Sequence, residues 1–293
     1  MGEVEQRIAD HEAAGRRFEA GGVGSFVRDQ GSGPAVVLVH GVPASSFLYR
    51  KVIPLVAAEE LRAVAFDLPG LGLADRPADF DYSWTGLARF VADAIEALGI
   101  ERCHLVVHDI GGPIGCEWAV RHPDRVLSLT ALNTLLDLTT FRRPWSMQPF
   151  AVKVLGEIQL RTMPRFVFSE IFYLQGVEDR SAVSRAEAYV YYELLKRGDG
   201  GRSFLEIMRG FELSAEKQRL LWDGLAPDAR AFPAQIVWGR NDPALPEKRR
   251  FGVQRALGVD DPILLPAKHF LQEDQAPAVA AAIAAIAKRP NRR

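Results

Sequence analysis

The chain has 293 residues, 36 Lys and Arg against 37 Asp and Glu, a formal net charge of -1 and two cysteines. That length suits one large domain, or a core domain carrying a smaller insertion, and a composition 48% hydrophobic and 25% charged is that of a globular chain. Two cysteines can neither staple a fold of this size nor build a thiolate zinc site, and a near-neutral balance supplies no field to draw nucleic acid or an anionic membrane.

The first twenty residues are charged and hold no apolar run of secretory type. No stretch of about 18 apolar residues occurs anywhere, and the Ala-rich run 276–287 is too short to span a bilayer. A reducing cytoplasm is the expected compartment, where Cys103 and Cys116 serve as small buried residues. The segments around Arg17 and 23–28 read as a leading antiparallel hairpin. Apolar runs at 35–39 (AVVLV), 62–66 (RAVAF), 104–107, 126–132, 234–238 and 262–265 read as buried strands. Helical patterns fall between them at 85–98 and 112–121. Buried strands separated by helices predict an α/β fold with a parallel sheet covered on both faces.

From about residue 136 to 222 the pattern changes. It is helical, rich in aromatics and lacks any buried-strand run, with GDGG (198–201) marking a loop within it. Such an insertion between two strands is expected to form a lid over the strand C-termini, where ligands bind in open α/β sheets. The expected division is core 1–135, helical cap 136–225 and core 226–293. The basic tail KRPNRR is expected to be a frayed end.

Three segments carry the chemistry. VVHDIGGPIG (106–115) is a strand, a sharp turn and a helix start, with Asp109 at the tip where a nucleophile elbow holds its reactive residue. Gly111 and Gly112 allow the close strand-to-helix approach. The helix start favours an anion, and an ionised Asp there needs no base to activate it. On its own such an Asp would serve equally as a helix N-cap. WGRNDP (238–243) puts Asp242 just past a strand, and PAKHF (266–270) puts His269 just past the next. The order Asp109, Asp242, His269 is nucleophile, acid, base. Val42, in HGVP (40–43), and Ile110 offer backbone N–H groups for an oxyanion hole. His40 is expected to support that loop. His108 is expected to point away from the nucleophile, His104 and His122 to be ordinary surface or packing residues, and His11 to be solvated.

LVHGVPASSFLYRKVIPLVA, FDLPGLGLADRP, LVVHDIGGPIGCEWAVRHPDRV and KHFLQEDQAP together resemble the α/β-hydrolase superfamily, specifically its haloalkane dehalogenase and epoxide hydrolase branch, over about 200 core residues. The resemblance implies an eight-stranded, mostly parallel sheet with an inserted cap. It implies an Asp nucleophile, a His base and a carboxylate partner, which fall on Asp109, His269 and Asp242. It implies no metal or organic cofactor, a small-molecule substrate and water as partners, and no marker of oligomeric state. In one dehalogenase subgroup the acid follows the sixth strand instead. The matching position here, Asn133, is not a carboxylate, which favours Asp242.

The chain also departs from the branch. Similar dehalogenases place a Trp directly after the nucleophile and a second halide donor after the HG of the oxyanion loop; here these positions are Ile110 and Val42. Trp145 is a candidate replacement from the cap. Epoxide hydrolases protonate the opening oxygen with cap tyrosines, for which Tyr173, Tyr189, Tyr191 and Tyr192 are candidates. The second such Tyr is missing from the stretch before the acid strand, which reads FLEIMRGFELSAEKQ. Three readings follow: a dehalogenase-like hydrolase acting on a small or medium apolar substrate through an ester on Asp109, an epoxide hydrolase, and a non-hydrolytic ligand binder or cofactor-free oxygenase on the same scaffold. The full set of three residues argues against pure binding, which requires no such relay.

Overall fold

The computed structural model describes residues 2–289. The chain opens with α1 (Glu3–Ala13), β1 (Arg16–Ala20), β2 (Val23–Gln30), β3 (Ala35–Val39), α2 (Val52–Ala57), β4 (Arg62–Phe66), α3 (Trp84–Ala97), β5 (Cys103–Asp109), α4 (Gly111–Arg121) and β6 (Val126–Thr134). Five helices follow: α5 (Leu155–Thr162), α6 (Arg165–Gly176), α7 (Arg185–Lys196), α8 (Arg202–Arg209) and α9 (Ala215–Leu225). The chain then returns through β7 (Ala234–Gly239), α10 (Glu247–Leu257), β8 (Ile263–Leu265), α11 (Leu271–Asp274) and α12 (Ala276–Ala287). Residues 290–293, in the basic tail, lie outside the described part.

The eight strands form one sheet in the order β1-β2-β4-β3-β5-β6-β7-β8. β2 is antiparallel to both neighbours, and every pairing from β4 to β8 is parallel. The leading hairpin turns at Gly21 and Gly22, both at positive φ (55° and 75°), the backbone that a two-residue hairpin matching the strand twist requires. β3 runs next to β4 on one side and β5 on the other, so the strand order reverses between β3 and β5. That reversal opens a crevice at the C-terminal ends of these two strands.

Strand alternation divides the core. Val37 and Val39 join a cluster with α3, α4, α9 and α10, while Val36 and Leu38 pack with Ile53 and Val56 of α2 and with Val279 and Ile283 of α12. Both faces are therefore covered, which is why the strands read as unbroken apolar runs. Each fully buried aliphatic side chain contributes about 1.5–3 kcal/mol.

Helices α5 to α8 form a cover, of which α6, α8 and the irregular segments beside them line a cavity with the β3 loop and the end of β5. α9, in the segment expected to be cap, packs instead on α4 and α10 beside the sheet. Its Leu221 and Leu225 are fully buried there. The cover is tied down by charge as well as by apolar contact. Glu273 of α11, fully buried, accepts from Arg50 at 2.6 and 2.9 Å, and Arg50 also donates to Glu187 of α7 at 2.8 Å.

Two features depart from the sequence reading. The charged N-terminal segment forms α1, which lies against α7 and buries Val4 and His11. His11 is not solvated: its ring bonds the Ser46 hydroxyl at 3.2 Å and packs on Phe26 and Phe47. Burial, aided by Arg28 and Arg50, pushes its pKa down to about 3, so it is neutral. A helix that buries so few residues leaves almost no periodic signal to read.

Candidate active site

The β5–α4 turn sets Asp109 at φ 52°, a left-handed backbone that costs a non-glycine residue about 1–2 kcal/mol. The strain is tolerated because the surroundings fix the turn. Thr134 Oγ1 donates to the Asp109 carbonyl at 2.5 Å. A Cβ on Gly111 would meet the His40 carbonyl at 2.6 Å, and one on Gly112 would meet Thr134 Cβ at 2.9 Å, so both positions need glycine for the close approach. The turn throws the Asp109 carboxylate up against the β3 loop, where the Val42 N–H donates to Oδ2 at 2.9 Å and the Ile110 N–H supports the same carboxylate. Burial raises its pKa; the pull of His269 and of these two N–H groups opposes that rise without cancelling it.

The ends of β7 and β8 supply the other two groups. His269 Nδ1 donates to Asp242 Oδ2 at 2.8 Å, and His269 Nε2 faces Asp109 Oδ1 at 3.8 Å. With the Nδ1 proton held by Asp242, the Nε2 lone pair is free to accept a proton. Burial opposes a charged ring, but Asp242 and Asp109 outweigh it, and the His269 pKa sits above the ordinary histidine value. Asp242 is buried too, yet His269, the Asn133 amide and the Leu245 N–H hold its carboxyl below the usual range. Asn133, at the alternative acid position, donates from Nδ2 to Asp242 Oδ2 at 2.6 Å.

The supporting histidines divide as follows. His40 Nε2 accepts the Leu68 N–H at 3.0 Å and its Nδ1 donates to the Gly41 carbonyl at 2.9 Å, bracing the β3 loop as expected. His104 bonds Ser128 at 2.8 Å and His122 stacks on Trp118, both packing roles. His108 lies against the base: its ring centroid is 4.7 Å from that of His269, and its Nε2 donates to the His269 carbonyl at 2.9 Å. Cys103 and Cys116 are buried free thiols.

Asp109 and His269 open onto a cavity of about 830 Å³, its mouth included, roofed by Phe150, Met163, Phe168, Met208 and Phe211. None of the five expected cap donors lines it. Trp145 turns outward and is 63% exposed, although its neighbours Pro144 and Ser146 face the cavity. The tyrosine hydroxyls are spent away from the cavity: Tyr173 donates to the Val183 carbonyl at 2.8 Å, Tyr192 to the Met163 carbonyl at 2.9 Å, and Tyr191 to Glu273 of α11 in the core. Tyr189 stacks under the Arg165 guanidinium. A buried phenol needs a partner, and the segments beside α6 and α7, together with Glu273, supply one to each of these three hydroxyls.

The polar groups that do face the cavity from the cap are Arg143, Ser146 and Gln175. The Ser146 hydroxyl donates to Gln175 Oε1 at 2.6 Å, which leaves the Gln175 Nε2 hydrogens for the cavity. The Gln175 carbonyl accepts the His269 N–H at 3.4 Å, so this residue abuts the base. Nothing in the local sequence marks these three, because irregular chain and the end of a helix carry no periodic signature.

A family profile described as the alpha/beta hydrolase fold matches residues 34–274. The chain belongs to the α/β-hydrolase family. It is 32% identical over 267 residues to haloalkane dehalogenase 2 of Mycobacterium bovis, covering 87% of this chain and 88% of that protein. A haloalkane dehalogenase of Mycolicibacterium smegmatis is 30% identical over 279 residues, covering 89% and 86%. Among solved structures, Cfl2 of Burkholderia cenocepacia superposes with a TM-score of 0.81 at 24% identity, over 92% of this chain and 94% of that one. A Vigna radiata epoxide hydrolase mutant superposes with a TM-score of 0.77 at 19% identity, over 94% and 98%. The chain is thus a hydrolase of the branch that holds haloalkane dehalogenases and epoxide hydrolases. Among the described residues no helix is long and apolar enough to cross a membrane.

Proposed function

We propose that this hydrolase cleaves a carbon–halogen bond by two successive displacements. The observation that carries the reading is the Asp109 carboxylate, strained upward into an apolar cavity, with His269 within 4 Å of it and backed by Asp242. In the first step Asp109 attacks the saturated carbon in line. The Asp109 oxygen–carbon bond forms as the carbon–halogen bond breaks, and the halide leaves with the bonding pair. In the second step His269 Nε2 takes a proton from water, and the hydroxide adds to the ester carbonyl of Asp109. The oxyanion so formed takes up the Val42 and Ile110 N–H groups that hold the resting carboxylate. Each such donor is worth about 3 kcal/mol. Collapse expels the alkoxide, which takes the proton from His269, and leaves Asp109 as the carboxylic acid; its proton then passes through the neutral His269 to solvent, which regenerates the carboxylate. The sum is alkyl halide plus water giving alcohol plus hydrogen halide.

The leaving halide needs a donor, since neither Ile110 nor Val42 offers one from its side chain. The Gln175 amide, pinned at its oxygen by Ser146 and lying beside His269, fills that role in this reading. Epoxide opening is the weaker reading, because no cap tyrosine lines the cavity and the hydroxyls of Tyr173, Tyr191 and Tyr192 are engaged elsewhere. The names of the relatives over most of their length point the same way.

The test is halide release against diol formation from a panel of haloalkanes and epoxides. Asp109→Asn abolishes turnover, and His269→Gln leaves a covalent adduct visible as added mass on the peptide that carries Asp109. Turnover by Asp109→Asn, or diol as the main product, overturns the reading.

A further inference from the structure

We propose that the cavity holds a subsite for a carboxylate, centred on Arg143, so that the substrate is a halogenated acid rather than a wholly apolar molecule. The choice of a halogenated substrate rests on the reading above; the anion site does not. Arg143 stands in the irregular segment between β6 and α5 and lines the same cavity as Asp109 and His269. Its guanidinium is fixed in place. It lies 4.5 Å from the centre of the Phe211 ring, and Nη2 donates to the Met208 carbonyl at 2.7 Å.

Its charge has no answer in the protein. Several other sheltered arginines are paired: Arg50 with Glu273 and Glu187, Arg62 with Asp29, Arg250 with Glu247; Arg28, without an acid, meets His11, and Arg249 donates twice to Thr140. Among the described residues no carboxylate lies within ion-pair distance of Arg143. Arg230, also without an acid, satisfies two of its nitrogens with the Phe232 and Leu225 carbonyls. Arg143 makes one bond, its Nε is buried without a partner, and Nη1 donates to nothing among the described residues. Burial disfavours the charge, and no acidic group offsets it. A cation in an apolar wall is costly unless an anion joins it. Nη1, with the remaining Nη2 hydrogen, keeps the two-donor edge that suits a carboxylate; a halide needs a single point. Bonds to a charged partner of this kind change affinity roughly 10- to 100-fold.

On this proposal Asp109 displaces halide from a carbon whose chain ends in a carboxylate held at Arg143, and ester hydrolysis yields the hydroxy acid. Two measurements test it. In the first, unreactive straight-chain alkanoates and inorganic bromide are titrated, by calorimetry, into the wild type, Arg143→Met and Arg143→Lys. Each variant is checked for an unchanged far-ultraviolet spectrum. The expected result is alkanoate binding to the wild type, weakened roughly tenfold or more in Arg143→Met and less in Arg143→Lys, which keeps the charge. Equal binding to the wild type and Arg143→Met, binding of bromide alone, or no binding overturns the subsite. In the second, each bromo-acid is compared with its isosteric bromo-amide. The wild type prefers the acid through KM, and the preference collapses in Arg143→Met. A preference for the amide, or one untouched by the substitution, overturns the substrate assignment. Alkanoate binding depends on no chemistry at Asp109, so failure of the displacement reading leaves that arm standing.

Discussion

Asn133 offers the sharpest test of how the site is held. It is fully buried at φ 22°, a backbone that Asn and Asp tolerate best, and its amide is used at both ends. Oδ1 accepts the Gly239 N–H at 2.7 Å and Nδ2 donates to Asp242 Oδ2 at 2.6 Å. Asn133→Asp keeps the shape and the first acceptor but sets an oxygen against the Asp242 carboxylate. Were both ionised at that separation, they would repel by about 6 kcal/mol at an effective dielectric of about 20. The protein avoids this by protonating the new carboxyl, whose O–H then donates as the amide did. The loss of stability is therefore capped by the cost of keeping that proton, about 1.4 kcal/mol for each pH unit above the unfolded aspartate value near 3.9, or about 4 kcal/mol at pH 7. The folded-state pKa of the new group is raised. The variant should thus match the wild type near pH 4 and lose ground as pH rises, until the group ionises. Urea unfolding of both proteins from about pH 4 to about pH 8 measures the difference. A difference that stays constant across that range, or none at about pH 8, refutes the reasoning.

The pH profile should reflect His269, which acts only when neutral. Its raised pKa puts the acid limb of ester hydrolysis above the ordinary histidine value of about 6.5, with activity climbing as pH rises through it. An acid limb below about 6 contradicts the assignment. Gly41→Ala places a Cβ 2.5 Å from Asp109 Cβ and 2.8 Å from its Cγ. It should cut kcat/KM by roughly 100-fold, because a displaced nucleophile loses its line of attack. Steady-state kinetics beside a melting curve check this, and retained activity counts against Asp109. Glu273→Gln removes the buried partner of Arg50 and Lys51 but leaves Glu187. A cost of about 3 kcal/mol, at the low end for such pairs, should appear as a lower Tm in calorimetry. An unchanged Tm means that this cluster does not hold the cap to the core.

The strands were legible because burial on both faces writes an unbroken apolar run: 35–39 and 62–66 are β3 and β4 to the residue. Asp109, Asp242 and His269 were legible because each follows a strand end, and the structure brings those ends together. α1 was not legible, since a charged helix that buries only Val4 and His11 has no periodicity to detect. The cap donors were misjudged for a related reason. A tyrosine in a helical stretch announces an aromatic but not its direction, and Tyr173, Tyr191 and Tyr192 spend their hydroxyls within the packing.

The same division runs through the whole protein. Sequence by itself determined the core fold, the family and the residues at the strand ends, because these depend on local pattern and on position within a repeating strand–helix order. The lining of the cavity was decided only by tertiary structure. Arg143, Ser146 and Gln175 stand on irregular chain and at the end of a helix, where no period relates neighbouring residues, and their facing is set by how the cap packs on the core. A near-neutral total charge names no substrate. One guanidinium without an acidic partner, invisible in a sum of 36 against 37, points to an anionic one.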